Sequence, residues 1–282
     1  MKTSLFKLAI ALIFTMVFSS CNQGQKSTSN TENQVDWNLA ILAYTFKDNT
    51  FAEAIAKAKE LGIDRIGGFP GQAIGGGIEG SMAFNMDSLT RGKVLDLLAT
   101  NNVQLVDFGV ISPKTQEEWV QLFEFAKSMG IQNIVSEPEP ALLDYISTLC
   151  DQYQIKVAIH NHASPSIYWH PDTVMKSLEG KSELMGVCAD VGHWYRSQLD
   201  PVQSLQKVSS RLFELHFKDI AKDGKDVVMG TGDIQIAPLL EILKQQHFKG
   251  VLSLECEGDL HGNVPEIAKS VAYYQQVLTQ IP

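Results

Sequence analysis

The sequence predicts an α/β protein, a single-domain (β/α)8 (TIM) barrel. Three observations predict it. Short apolar strand-like runs recur along the chain, eight in all; the stretches before them carry apolar residues at i, i+3, i+4 spacing; and ionisable side chains gather at the downstream ends of the runs. Continuous apolar strands alternating with helices describe a parallel sheet covered by helices. Eight such units in about 250 residues fit a closed barrel better than an open doubly wound sheet, which is the alternative.

The N-terminal stretch reads as a targeting segment. Lys2 and Lys7 precede Leu8–Phe18, an apolar stretch of 11 residues that is too short to cross a bilayer as a helix but suits a signal-peptide core. Phe18-Ser19-Ser20-Cys21 resembles a bacterial lipobox, with Phe18 where Leu or Val is usual. Residues 1–20 are expected to be a lipoprotein-type signal peptide, 21–35 a polar flexible tether, and 36–282 the barrel. The expected location is outside the cytoplasm, facing the periplasm or cell surface, with membrane contact only through the N-terminal lipid. Loss of residues 1–20 removes two lysines and no acids, taking the net charge from −9 to −11. Such an acidic body disfavours nucleic acid as a partner. Beyond Cys21, the odd set Cys150, Cys188 and Cys256 reads as buried free thiols rather than a disulfide framework.

The first strand is expected within "LAILAYTF" (Leu39–Phe46). The others follow in "ELGIDRIGGF", "TNNVQLVDFG", "SMGIQNIVSE", "QYQIKVAIHN", "ELMGVCADVG", "SRLFELHFKD" and "FKGVLSLECE". Phe51, Ala54, Ile55, Ala58 and Leu61 mark the buried face of the first helix. Gly62, Gly130 and Gly250 stand where helix-ending glycines are expected. The glycine-rich stretch Gly67–Ser81 lacks the Gly-Lys-Ser/Thr ending of a phosphate loop and predicts a mobile loop over the site.

Catalytic groups of a barrel lie at the C-terminal ends of its strands. Strand four ends at Glu137, strand five at His160 and His162, and strand six at Asp190 and His193. Strand seven reaches His216 and Lys218, and strand eight reaches Glu255 and Glu257. In "VAIHNHA" the two imidazoles, one residue apart, point to one side. Three carboxylates packed at one mouth repel each other unless a cation neutralises them. Glu137, His160, Asp190, His216 and Glu255 are therefore expected to hold a divalent ion: Mn²⁺, Co²⁺, Zn²⁺ or Mg²⁺. One imidazole of the pair would be a ligand, the other a substrate or proton group. Glu137, His160, His162 and Glu255 are the catalytic candidates. His193, Lys218, Glu257 and the aromatic faces of Trp169, Trp194 and Phe69 are the substrate-binding ones, with Tyr44 and Phe46 also near strand ends. Each residue alone has a plainer reading: a solvated loop acid, a core histidine, a turn cap at Asp190. Their recurrence on five consecutive strands favours a joint site.

The series "SEPE", "AIHNH", "CADVGHW", "ELHFKD", "GTGDI" and "LSLECE" resembles the xylose isomerase-like sugar isomerase/epimerase superfamily. That group also contains inosose and dehydroshikimate dehydratases and endonuclease IV relatives. The resemblance covers most of residues 38–282 and is best from Glu137 onward. The family's usual metal quartet is Glu, Asp, His and Glu on strands five to eight. The resemblance maps the Asp to Asp190, the His to His216 and the last Glu to Glu255. It departs at strand five, where His160 stands for Glu; Glu137 offers a replacement carboxylate, and His162 matches an active-site His of some dehydratases. It implies a metal-dependent isomerase or epimerase that abstracts a proton next to a carbonyl of an unphosphorylated sugar or keto-sugar. Ketose epimerases of the family use paired Glu residues, so His160 makes a lyase acting on a keto-sugar or cyclitol a serious competitor. A non-catalytic sugar-binding lipoprotein is a third reading. A small carbohydrate is the expected partner, and a homodimer is a candidate assembly. The acidic charge and export argue against a nuclease.

Overall fold

The computed structural model describes Trp37 and residues 39–281. The signal peptide and tether, residues 1–35, lie outside the described residues. Eight strands close into one parallel barrel: β1 (Ala40–Leu42), β2 (Arg65–Gly68), β3 (Gln104–Phe108), β4 (Asn133–Ser136), β5 (Lys156–His160), β6 (Met185–Asp190), β7 (Leu212–Phe217) and β8 (Val251–Leu254). Each pairs in parallel with its chain neighbours, and β8 pairs with β1 through Ala40–Ser253 and Ile41–Leu254. Closure removes the sheet edges, which excludes the open-sheet alternative. Strands buried on both faces account for the unbroken apolar runs, most fully in β6, where every residue is buried.

The α-helices between and after the strands are α1 (Phe51–Glu60), α2 (Ser88–Asn101), α3 (Gln116–Met129), α4 (Leu143–Tyr153), α5 (Pro171–Ser177), α6 (Val191–Arg196), α7 (Pro201–Val208), α8 (Ile236–Gln245) and α9 (Val264–Gln280). They begin and end as their chemistry dictates. In α1, Thr50 and Glu53 form a reciprocal capping box, and Phe51, Ala54, Ile55 and Ala58 are buried. In α3, Thr115 and Glu118 do the same, and Gly130 closes the helix at φ 69°. Gly62 likewise follows α1 at φ 75°. Gly250 does not end a helix. The α8 helix closes at Gln246, and Gly250 instead lies where a Cβ would run into the Phe213 carbonyl and the Phe248 ring.

Two further expectations change. The first strand is only Ala40–Leu42; Ala43–Phe46 turn as a 3₁₀ helix that leaves Tyr44 exposed and buries Phe46. Phe46 is thereby core, not a substrate face. The glycine-rich stretch is also built structure. Ala73–Gly75 and Ile78–Ser81 pair as an antiparallel ribbon, pinned by the buried Gln72 amide, which donates to the carbonyls of Phe46 (3.4 Å) and Asn49 (3.1 Å). Cys150, Cys188 and Cys256 are buried and free.

Candidate metal centre and active site

The ends of β4–β8 converge. At β6, Asp190 is fully buried and has two separate tasks. Its Oδ1 accepts the backbone N–H of His193 (2.8 Å), capping α6. Its Oδ2 makes no hydrogen bond, and it faces His160 Nε2 (3.7 Å), His193 Nε2 (3.8 Å), His216 Nδ1 (3.9 Å) and Lys218 Nζ (3.0 Å). The cap occupies Oδ1 and leaves Oδ2 available to a ligand role on the same side chain. Asn161 fixes its backbone: the Asn161 amide donates to the Asp190 carbonyl (3.0 Å) and its Oδ1 accepts the Asp190 N–H (2.8 Å).

Glu255 follows β8. Its Oε2 lies 2.6 Å from Lys218 Nζ and 3.6 Å from His216 Nδ1. Lys218 is itself 1 % exposed and also reaches Glu257 (3.3 Å). Its stem is accommodated by Gly192, where any Cβ would lie 2.5 Å from Lys218 Cδ. Arg196 then pairs with both Glu257 (3.2 Å) and Asp226. The "HFKD" and "GTGDI" motifs meet at the buried Asp219, whose carboxylate accepts the backbone N–H groups of Ile220, Gly230, Gly232 and Ile234.

Glu137 stands apart from the Asp190–His216–Glu255 group. Its Oε1 accepts the backbone N–H and lies 2.8 Å from Nδ1 of His162; its Oε2 accepts the Ser166 hydroxyl (2.9 Å). His160 Nδ1 lies 3.7 Å away. The His160 and His162 rings are 4.6 Å apart, as their spacing in the strand implies. With Nδ1 tied to Glu137, His162 has Nε2 free, and its ring lines a cavity of about 590 Å³ at the barrel mouth. His160, His193, His216, Glu255 and Glu257 line the same cavity, joined by Tyr44 and Phe69 from the ends of β1 and β2, across the barrel. Tyr44 and Phe69 meet edge to face at 5.2 Å.

The electrostatics follow from burial opposed by partners. Burial pushes the Asp190 carboxyl up, but the His193 ring and the Lys218 ammonium outweigh it and hold it well below the ordinary value. Burial also pushes Glu137 up, and the adjacent His160 ring together with the hydrogen bonds from His162 again win, holding it low. Lys218 stays charged despite burial because Asp190, Glu255 and Glu257 surround it. Burial pushes His193 down to about 3, so it is neutral near pH 7. The unfolded chain takes up that proton near 6.5 and the folded one only near 3, so metal-free protein should lose stability as pH falls through this window. Denaturant titrations at pH 7 and pH 5 should show a smaller loss for His193→Asn; an equal loss would remove His193 from this account.

A divalent ion suits these residues. Asp190, His216 and Glu255 offer ligand atoms within 4.8 Å of one another, and so do His160, Asp190 and His193. Asp190 Oδ2, His160 Nδ1 and His216 Nδ1 are buried without hydrogen-bond partners, an arrangement that calls for a partner. Four carboxylates (Asp190, Glu255, Glu257 and Asp226) face two fixed cations (Lys218 and Arg196). At ordinary ionisation two negative charges are left over, which one divalent ion would neutralise. Mixed carboxylate and imidazole donors fit Mn²⁺, Co²⁺ or Zn²⁺ better than an all-oxygen Mg²⁺ site.

Several substrate-binding assignments need correction. Trp194 is fully buried and does not line the cavity, because α6 turns it into the core. Lys218 is buried as a counter-ion to carboxylates rather than exposed to a substrate. Trp169 is half-buried beside His170, outside the cavity lining. His170 caps α5 and stands outside the lining too. Phe69 and Glu257 do line it. Trp194→Ala should cost ~3–5 kcal/mol of stability with substrate KM unchanged, measured by denaturant unfolding beside steady-state kinetics. Wild-type stability with a raised KM would return Trp194 to the substrate wall.

Sequence reasoning missed a buried polar layer beneath the centre. Asp107 on β3 and Glu214 on β7 are fully buried. Burial and the nearby Glu214 charge push Asp107 well above its ordinary value, and burial pushes Glu214 up to about 7. The sequence signal was an acid in the middle of each apolar run, "LVDFG" and "LFELH". Asn161, Ser166 and His261, whose ring packs on Tyr44 and lines the cavity, were missed as well.

Fold and site together define a parallel barrel with a cluster of His, Asp and Glu side chains at its C-terminal mouth that could hold a divalent ion. The chain belongs to the xylose isomerase-like TIM barrel family, whose sequence profile matches residues 56–277. An inosose dehydratase of Clostridium beijerinckii is 24% identical over 280 aligned residues, covering 80% of this chain and 87% of that protein. The crystal structure of an uncharacterised protein from Parabacteroides distasonis is 35% identical, with a TM-score of 0.71 over 86% of this chain and 99% of that one. An L-ribulose 3-epimerase structure shares the fold at a TM-score of 0.68 and 12% identity, covering 87% and 95%.

Proposed function

We propose that the protein is a metal-dependent carbon–oxygen lyase that removes water from an unphosphorylated keto-sugar or cyclitol. The observation that carries this reading is the Glu137–His162 pair at the cavity wall beside the Asp190–His216–Glu255 group. Asp190, His216 and Glu255 would hold the ion, with His160 or His193 completing the set. A bound divalent ion supplies electrophilic stabilisation to negative charge developing on a substrate oxygen.

The chain's own residues do the proton work. Glu137 keeps the proton of the neutral His162 ring on Nδ1, leaving the Nε2 lone pair for the substrate. His162 takes the proton from the carbon next to the carbonyl, and the Glu137 carboxylate stabilises the imidazolium that results. The electron pair of the broken C–H bond forms the new C=C bond as the hydroxyl on the next carbon departs. The imidazolium gives its proton to that hydroxyl, so water leaves and His162 returns neutral. One imidazole on one face serves both halves of an elimination. Epimerisation needs a second group on the other face, and His160 replaces the strand-five carboxylate that would form the pair.

The cations nearest the centre, Lys218 and Arg196, are already paired with carboxylates, which favours an unphosphorylated substrate. Export with an N-terminal lipid anchor is part of the same proposal and agrees with that substrate class. Isomerisation is the second reading, supported by Glu255 as a carboxylate at the cavity wall. The test is a screen of free keto-sugars and cyclitols with Mn²⁺ or Co²⁺ in D₂O. Loss of one water supports the lyase. Deuterium uptake at unchanged product skeleton supports the isomerase instead, and tight binding without turnover supports a sugar-binding protein.

A further inference from the structure

The buried layer beneath the centre has a role that the proposed chemistry does not use. Glu214 precedes His216 by two residues on β7, so both side chains point into the barrel, one layer apart. Its carboxyl meets side chains from two strands: Asn133 Nδ2 on β4 donates to Oε2 at 3.1 Å, and the Ser253 hydroxyl on β8 lies 3.4 Å from Oε1. Asp107 faces it from β3, on the opposite side of the barrel, and neither Asp107 oxygen has another hydrogen-bond partner. The result is a carboxyl with a fixed orientation in a place closed to solvent. His216 stands between the layers. Nε2 lies 3.3 Å from Glu214 Oε1 below, and Nδ1 lies 3.6 Å from Glu255 and 3.9 Å from Asp190 above.

A neutral imidazole has one N–H and one lone pair, and the partner of the first decides where the second points. We infer that Glu214 is a positioning residue for His216: its Oε1, 3.3 Å from Nε2, favours the ring proton on that nitrogen and so leaves Nδ1 as the lone-pair nitrogen toward Asp190 and Glu255. The inference rests on the metal reading of the centre. It adds that one ligand is set from below by a side chain that touches neither ion nor substrate. Asn133 is the group that holds Glu214, at 3.1 Å, and the Ser253 hydroxyl only borders it at 3.4 Å.

The test measures Mn²⁺ and Co²⁺ affinity by calorimetry for wild type, Glu214→Gln and Ser253→Ala, beside the His216 tautomer in metal-free wild type by ¹⁵N-histidine NMR. Glu214→Gln should weaken binding about 10–100-fold, the range expected on loss of a carboxylate behind a ligand histidine. Ser253→Ala should stay within about twofold, and His216 should carry its proton on Nε2. Affinity in Glu214→Gln equal to wild type overturns the inference, as does an equal loss in Ser253→Ala, which would mark a general loosening of the layer. Should Glu214→Gln not fold, the tautomer decides: a proton on Nδ1 in wild type overturns it. A wild type that binds neither ion sinks the metal reading itself and this role with it; binding that is indifferent to Glu214 sinks only this role.

Discussion

Asp190→Asn should strip the ion and cut turnover by roughly a thousandfold or more, with the barrel still folded. The two oxygens of Asp190 are already assigned. The cap to the His193 N–H needs an acceptor, so the amide oxygen of the substituted side chain would take that place. The NH₂ group would then face Lys218 Nζ, which the carboxylate approaches to 3.0 Å, as well as the nitrogens of His160, His193 and His216. A donor replaces the acceptor at the point where the cluster's groups converge. One full negative charge also disappears from a centre whose uncompensated charge matches a divalent ion. Losing a residue behind a ligand typically costs about 10–100-fold in metal affinity, and a ligand itself should cost more. Elemental analysis after dialysis, with circular dichroism to confirm the fold, reads the outcome. An Asp190→Asn variant that retains a full equivalent of metal would remove Asp190 from the ligand set, and wild-type turnover would remove the centre from the reaction.

Legibility of the chain depended on how far each property is local. Strand and helix order was readable because burial on both faces leaves an unbroken apolar run, as in "MGVCAD", and because caps such as Thr50–Glu53 are set within four residues. The gathering of Asp190, His216 and Glu255 was readable because a parallel barrel puts every strand's C-terminal end at one mouth. What the side chains do there was not. Whether Glu137 faces the cavity or holds His162 depends on the path of the chain through Ser166, whose hydroxyl reaches back to it. Whether Trp194 faces sugar or core depends on α6 starting at once after Asp190. Lys218 reads as a surface cation until Gly192 is seen to leave room for its stem. Asp107 and Glu214 look like interruptions of apolar strands, and only barrel closure turns them toward each other from opposite sides. The first strand ends early because Ala43–Phe46 coil to present Tyr44, a choice that apolar content cannot reveal.

His162→Asn should keep the ion and lose most of the turnover, by about 10²–10⁴-fold, the range for removing a positioned acid–base group. The ring is not part of the Asp190–His216–Glu255 group, so metal content should stay near wild type. The Asn side chain can still donate toward Glu137 but has no lone-pair nitrogen to take a proton from carbon. Glu137→Gln should act through the same ring: the amide can accept one hydrogen bond but no longer stabilises an imidazolium. Its effect should fall on kcat rather than KM, and the double variant should be little worse than His162→Asn alone, because the two residues act as one unit. The pairing also has a stability signature. Glu137 is held below its ordinary value in the folded state, so its contribution is present at neutral pH and fades as pH falls below about 4.5 toward the folded value. Glu137→Gln should therefore flatten the acid limb of the stability curve. Full loss of metal in His162→Asn would turn that ring into a ligand, and undiminished kcat would leave it a packing residue; in either case the proton step belongs elsewhere in the cavity.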